Sequence, residues 1–134
     1  MDFRFSTAAL AFEQEVNAFI QAEWIPLAGD RDLHAEEMVE QERDLRRKLA
    51  AKGWLTMSWP REYGGQERTY EEQYLLQEAL TYVGAPVGTS AVQIVGPTLM
   101  RFGTREQKSA FLPRIAGGEV DFALGYTEPD AGSD

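Results

Sequence analysis

The sequence predicts an all-α helical domain of about five helices, followed by the first strand of a truncated β domain. Three observations carry that prediction. Apolar residues recur at spacings of three and four through most of the chain, the signature of amphipathic helices. Two capping boxes, Thr69 with Glu72 and Thr104 with Gln107, mark helix starts. After Gly117-Gly118 the period drops to two. The boundaries that follow are a helical domain over residues 1–118 and a strand with its loop over 119–134.

The first helix runs from Thr7 to Ile25, with Phe12, Val16, Phe19 or Ile20, and Trp24 on its buried side and Pro26 beyond its end. The second spans about Ala35 to Lys52. Met38, Leu45 and Leu49 form its stripe, Glu42 and Arg46 stand one turn apart to pair, and Gly53 occupies the left-handed cap. The stretch "GWLTMSWPREYGG" changes period, with Leu55, Met57 and Trp59 alternating with Thr56 and Ser58. It reads as an extended connector packed against helices. Helix three follows Thr69, buries Leu75, Leu76, Ala79, Leu80 and Val83, and ends at Gly84. Pro86 suits the first turn of a fourth helix carrying Ile94, Val95, Leu99 and Phe102, kinked at Gly96-Pro97. The fifth follows Thr104, bears Phe111 and Leu112, and bends or ends near Pro113. Val120, Phe122, Leu124 and Tyr126 then alternate with Asp121, Ala123 and Gly125 as a strand. A lone strand has no partner here, so the chain is expected to be a piece of a larger protein.

Composition narrows the function. The net charge of −9 and the absence of a basic stripe exclude nucleic acid as a partner. Arg43, Arg46, Arg47 and Lys48 lie among Glu40, Glu42 and Asp44, as on the solvated face of a helix. There is no cysteine, which rules out disulfides and thiolate metal sites and suits a reducing cytoplasm. His34 is the single histidine and reads as a surface loop residue, so no metal site is expected. The start "MDFRFSTAAL" is not a secretory signal, and no apolar run reaches the roughly 20 residues of a membrane span. No G-x-S-x-G, P-loop or G-x-G-x-x-G occurs.

Chemistry concentrates in "YTEPDAGSD". A strand that opens into Thr, Gly and Ser offers N–H groups and hydroxyls to a ligand, and Gly132 admits close approach. Glu128, Asp130 and Asp134 oppose a phosphate cradle, so residue chemistry alone leaves an acidic turn and a ligand loop both open.

The run Gly125-Tyr126-Thr127-Glu128-Pro129-Asp130-Ala131-Gly132-Ser133-Asp134 resembles the signature of the acyl-CoA dehydrogenase family, with Tyr126 standing where an aliphatic is usual. Upstream, "GWLTMSWPREYGG", "VGPTLMRFGTREQK" and "LPRIAGGE" are similar to that family's amino-terminal helical domain in order and spacing. The resemblance implies an FAD-dependent flavoprotein of lipid metabolism, with a place in fatty-acid β-oxidation. It would oxidise the α,β C–C bond of an acyl-CoA thioester, a base taking the α-proton while the β-hydride goes to flavin. The subunit implied is α/β/α, with FAD between the β domain and a carboxyl-terminal bundle that carries the catalytic glutamate. No residue here is therefore assigned as catalytic, and residues 1–134 alone are expected to be inactive. Leu124 to Ser133 would line the cofactor. Within that run the Thr127 hydroxyl and the Tyr126–Thr127 backbone would hydrogen-bond the flavin's polar edge, with Leu124 and Gly125 lining the cofactor beside them, while Gly132 and Ser133 would face the pyrophosphate, Ser133 also near the CoA. Glu128 would be a structural partner for a basic residue. Val92, Val95 and Leu99 on the fourth helix would flank the acyl chain, unless they are simply core. Electron-transfer flavoprotein as acceptor and a homo- or heteromeric tetramer are also implied. Acyl-CoA oxidases share this helical start, and a helical interaction or assembly module without cofactor is the reading from another class.

Overall fold

Ser6 starts the first helix, and its side chain does two jobs. Its Oγ accepts from the Ala9 N–H at 3.1 Å as the N-cap of α1 (Thr7–Glu23), which satisfies one of the helix's unpaired donors. The Ser6 N–H and hydroxyl donate to the two carboxylate oxygens of Glu71, each at 2.9 Å. Glu71 lies in the first turn of α3 (Tyr70–Tyr82). At the far end Trp24 Nε1–H donates to the Val83 carbonyl at 3.1 Å. The two helices are tied start to start and end to end, so they run parallel. The computed structural model describes residues 4–24, 36–85, 89–125, 127, 128, 130 and 132. His34, Pro86, Tyr126 and Ser133 lie outside the described residues, as do the ends expected for the first two helices at Ile25 and Ala35.

The second helix, α2 (Glu36–Ala51), buries Leu45 and Leu49 and stops at Gly53 as its sequence predicts. Gly53 has φ +69°, a region other residues avoid, and its N–H bonds to the Ala50 carbonyl at 2.8 Å. The next N–H, that of Trp54, reaches back to Leu49 at 2.9 Å. This paired closure turns the chain back and drives Trp54 into the core. There its ring meets Phe12 and Phe19 edge-on, with centroids 5.2 and 5.3 Å away. Leu76, Leu80 and Ala85 complete this first core with α1 and α2.

The connector is not extended. Its residues form consecutive turns and a 3₁₀ turn over Arg61–Tyr63, so the expected alternation fails at Thr56, which is buried and donates to the Gly64 carbonyl at 3.1 Å. Backbone bonds fold it onto itself: Gln66 and Arg68 N–H groups both donate to the Met57 carbonyl, and Glu67 N–H to Trp59. Trp59 enters a second core with Ala91, Val92, Leu112 and Ile115, and Leu55 packs against both cores.

Helix α3 carries its capping box. Thr69 Oγ1 accepts from the Glu72 N–H at 3.3 Å and Glu72 accepts from the Thr69 N–H at 3.0 Å. Arg68 donates to the same carboxylate at 2.8 Å while its guanidinium covers the Phe12 ring. Leu75, Leu76 and Leu80 are buried, whereas Ala79 and Val83 pack at the margin.

The fourth helix departs from expectation. Rather than a simple kink, Ala91–Val95 form a π turn that continues into α4 (Gly96–Phe102). Pro97 cannot donate to the carbonyl one turn back and its ring crowds that carbonyl, so the turn opens and Gly96 N–H bonds to Ala91 instead. The extra residue shifts the face that looks inward. Of the apolar residues this helix carries, Ile94 and Phe102 are 44% and 75% exposed, while Val95 and Leu99 are only half-buried. Helix α5 (Arg105–Ala116) opens with its predicted box, Thr104 with Gln107, and runs through Pro113 rather than ending there. The proline costs one hydrogen bond, to a carbonyl on the exposed face at Ser109 where water can serve it. Buried Leu112 and Ile115 hold the turn on either side.

Residues 119–125 form no ladder, and no strand is present among the described residues. Strand hydrogen bonds need a second edge. Part of the period-two pattern survives in the packing, with Val120 and Phe122 turned onto the second core and Asp121 outward. Among the described residues no helix is long and apolar enough to cross a membrane.

Two outcomes test this account. Burial by itself would raise the pKa of Glu72, but the hydrogen bonds from Thr69 and the charge and hydrogen bond of Arg68 outweigh it and hold the carboxyl below its usual value. A depressed folded pKa contributes stability that is present above the unfolded value and lost as pH falls through the folded one. Glu72→Gln should therefore lower the urea midpoint at pH 7, with the gap to the parent closing as the pH drops through the carboxylate range. Separately, a Cβ at Gly96 would overlap the Trp59 ring. Gly96→Ala should cost about 1–3 kcal/mol by overpacking, and Trp59→Phe added to it should return part of that loss in the same denaturation assay.

Candidate functional site: a cleft and the terminal loop

Between α2, α3, the π turn and residues 121–122 lies a cleft of about 350 Å³. Its floor is apolar, formed by Leu49, Trp54, Leu55, Leu76, Leu80 and Val92. Its rim is polar: Gln73 and Gln77 from α3, Thr89 and Ser90 just ahead of the π turn, and Gln93 within it. Gln73 and Gln77 are four residues apart and share a helix face beside the Leu76–Leu80 stripe. Among the described residues no hydrogen bond engages the amides of Gln73, Gln77 or Gln93.

One end of the cleft is charged. Arg46 Nη2 stands 3.4 Å from Asp121 Oδ2, so Arg46 pairs with the terminal segment rather than with Glu42 as its spacing on α2 suggested. The other cations of that cluster do face solvent, Arg43 and Arg47 toward Glu40 and Lys48 toward Asp44 and Glu23. Both acids hold Lys48 above its usual pKa, the Asp44 hydrogen bond first. Phe122 meets Phe111 edge-on at 5.9 Å, and Asp121 also accepts from the Phe122 N–H at 2.9 Å. These contacts fix where the chain leaves the helical domain.

Beyond Phe122 the chain opens. Leu124, Gly125, Thr127, Glu128 and Gly132 are all exposed. Among the described residues nothing lies within 4 Å of where a Gly125 side chain would begin, and none of them forms a hydrogen bond with the Thr127 hydroxyl. A Cβ on Gly132 would sit 3.9 Å from Thr127 Cγ2, so those two positions lie close together. Of the expected acyl-flanking residues only Val92 lines the cleft. Val95 and Leu99 pack against the second core instead. The glutamine rim was not foreseen. Gln73 and Gln77 were legible as an i, i+4 pair flanking a buried stripe, but the placement of Gln93 depends on the π turn, which leaves no periodic signal.

Residues 6–119 match the family described as Acyl-CoA dehydrogenase, N-terminal domain. The chain belongs to the acyl-CoA dehydrogenase family. Acyl-CoA dehydrogenase FadE26 of Mycobacterium tuberculosis (strain ATCC 25618 / H37Rv) is 38% identical over 130 residues, which is 97% of this chain and 30% of that protein. The solved structure described as Tcur3481-Tcur3483 steroid ACAD superposes with a TM-score of 0.84 at 38% identity, covering 98% of this chain and 34% of that one. The ChsE4-ChsE5 complex from Mycobacterium tuberculosis gives a TM-score of 0.83 at 32% identity over 98% of this chain and 33% of that one. The chain thus spans about a third of the length of these acyl-CoA dehydrogenases. The five α-helices among the described residues are those of the family's amino-terminal helical domain.

The Arg46–Asp121 pair is partly exposed, so Asp121→Asn should cost no more than about 1 kcal/mol. It should also speed amide hydrogen exchange at residues 120–122, which a purely decorative pair would leave unchanged.

Proposed function

We propose that this chain is the amino-terminal part of an FAD-dependent acyl-CoA dehydrogenase, with the helical domain over 1–118 and the cofactor-contacting start of the β domain over 119–134. The observation that carries the reading is the family match over residues 6–119, followed directly by the open Thr127–Gly132 loop. The loop fits a cofactor's polar edge on three counts. Thr127 has an exposed hydroxyl with no partner among the described residues, Gly125 leaves its backbone uncovered, and Gly132 admits close approach. FAD, when bound, supplies the acceptor for the β-hydride of the acyl group.

The residues of this chain bind and orient. The Thr127 hydroxyl and the Tyr126–Thr127 backbone would hydrogen-bond the flavin's polar edge, with Leu124 and Gly125 lining the cofactor beside them. Gly132 would lie along the pyrophosphate. Tyr126 and Ser133, outside the described residues, keep the roles the resemblance implies for them, at the flavin edge and near the pyrophosphate and CoA. No base is assigned to this chain. The Arg46–Asp121 pair and the Phe111–Phe122 contact anchor the root of the loop, so the donors are held before the cofactor arrives. Val92 is retained as a cleft residue, and Val95 and Leu99 as its support.

The same reading includes an acyl-CoA substrate, electron-transfer flavoprotein as acceptor, a cytoplasmic location and a tetramer. The two solved structures above are described as pairs of differently named chains, and one as a steroid enzyme. That favours a heteromeric assembly acting on a steroid-bearing acyl group for this chain too. The test is Thr127→Val in the full-length protein. It keeps side-chain volume and removes the donor, so FAD affinity or flavin reduction should fall by roughly 5- to 150-fold, the equivalent of about 1–3 kcal/mol for one unmade buried hydrogen bond. A variant that binds and reduces FAD like the parent makes the loop an ordinary turn.

A further inference from the structure

A second groove, of about 740 Å³, lies between the 3₁₀ turn and α5. We infer that it docks an acidic peptide segment of a partner protein, whose apolar side chains lie on Tyr63, Leu112 and Ala116 while its carboxylates meet Arg105 and Lys108. The acyl-CoA dehydrogenase reading makes no use of this surface, and the inference stands apart from it.

Unpaired charge is the first argument. In a chain of net charge −9 each cation has many carboxylates to choose from. The arginines and lysines of α2, of the connector and of the last turn of α5 each hold one. Arg105 and Lys108 hold none among the described residues. Lys108 Nζ only stands 6.0 Å from the centre of the Tyr63 ring, at the outer reach of a cation–π contact. Glu106, the one acid of α5, is drawn to its own N–H and to Thr104 at the helix start and does not line the groove.

A backbone acceptor is the second. Pro113 has no N–H, so the Ser109 carbonyl lacks its donor one turn on. The Ser109 hydroxyl is engaged elsewhere, donating to the Glu106 carbonyl at 3.0 Å. Ser109 and Pro113 both line the groove, which places an acceptor beside the two cations. A fatty anion brings a carboxylate and a tail but no donor. A peptide brings both of those and backbone N–H groups as well.

Shape is the third. Leu112 belongs to the second core, so the apolar bed is fixed. Gly64 closes on it so tightly that a Cβ there would stand 2.9 Å from Ala116 Cβ. Yet Gly64, Ser109 and Pro113 are exposed, and the groove is an open trough. Small-molecule sites enclose roughly 70–90% of their ligand. An open trough beside a helix suits a segment of chain laid along it. Glu62 lines the wall that the 3₁₀ turn forms, and it sets the direction. The partner's acids lie toward Arg105 and Lys108 and away from Glu62.

The experiment measures fluorescence anisotropy of a rhodamine-labelled peptide, DFDELD, with the full-length protein. The parent should bind it, and added salt should weaken that binding. Arg105→Gln/Lys108→Gln should weaken it by about 10-fold or more, and KFKKLK should bind the parent no better than DFDELD binds this double variant. Pro113→Ala returns the missing N–H to α5. It should raise the melting temperature and yet weaken DFDELD, whereas a proline with a structural role alone would leave the peptide unmoved. No binding by the parent, or equal binding by the double variant, overturns the proposal. Laurate that competes with DFDELD at equal affinity makes the groove a site for anionic lipid and overturns it too. A parent assembly that comes apart in the double variant, seen by light scattering, gives the groove to a second copy and overturns it as well.

Discussion

The closest constraint in this domain is the contact of Trp59 with two glycines. The Trp59 backbone lies where a Gly65 side chain would stand, and its indole lies where a Gly96 side chain would stand. The first contact lets the connector fold back on itself, and the second brings the fourth helix close enough to share a core with α5. Interiors are packed near crystal density, so a ring of this size fits only where neighbouring backbone gives up its side chains. The second core, the π turn and the side of the cleft that the turn forms all hang on that fit. The first core depends on it less, because Trp54 is set independently by the closure at Gly53.

The connector therefore works as a hinge pin between two cores rather than as a spacer. Trp54 and Trp59 are five residues apart and enter different clusters, with Leu55 touching both. A chain that must send two indoles in different directions within five residues cannot remain extended. Turns provide the change of direction, and the hydrogen bonds of Met57, Trp59 and Thr56 satisfy the backbone groups that the turns bury. The cleft is a consequence, since two cores splayed about a pin leave a gap that neither fills.

Charge is arranged with the same division. Acids and bases of α2 pair with one another on the solvent side, where each pair contributes little. Arg46 is the exception. Only 20% of its side chain is exposed, and it reaches across to Asp121, joining the helical domain to the segment that leads to the loop. With Phe111 against Phe122, it fixes where the exposed segment leaves the helical domain.

The sequence by itself determined the helices with local signals. The two capping boxes, the stop at Gly53 and the stripes on α1, α2 and α3 depend on residues within a few positions of each other, and they are found where those patterns put them, save that Met38 of α2 and Ala79 and Val83 of α3 are only half-buried. It also carried the family resemblance, in ordered blocks that need no coordinates. Only the tertiary structure decided the rest. The turn-rich connector, the π turn at Pro97, the continuation of α5 through Pro113 and the transfer of Arg46 from Glu42 to Asp121 all depend on partners distant along the chain. The same holds for the glutamine rim, which exists because α3 and the π turn meet across a gap. Periodicity reports which face of one element is apolar. It holds no information about which second element that face meets, nor about a register slipped by one residue, because those are settled by the packing of whole side chains against each other.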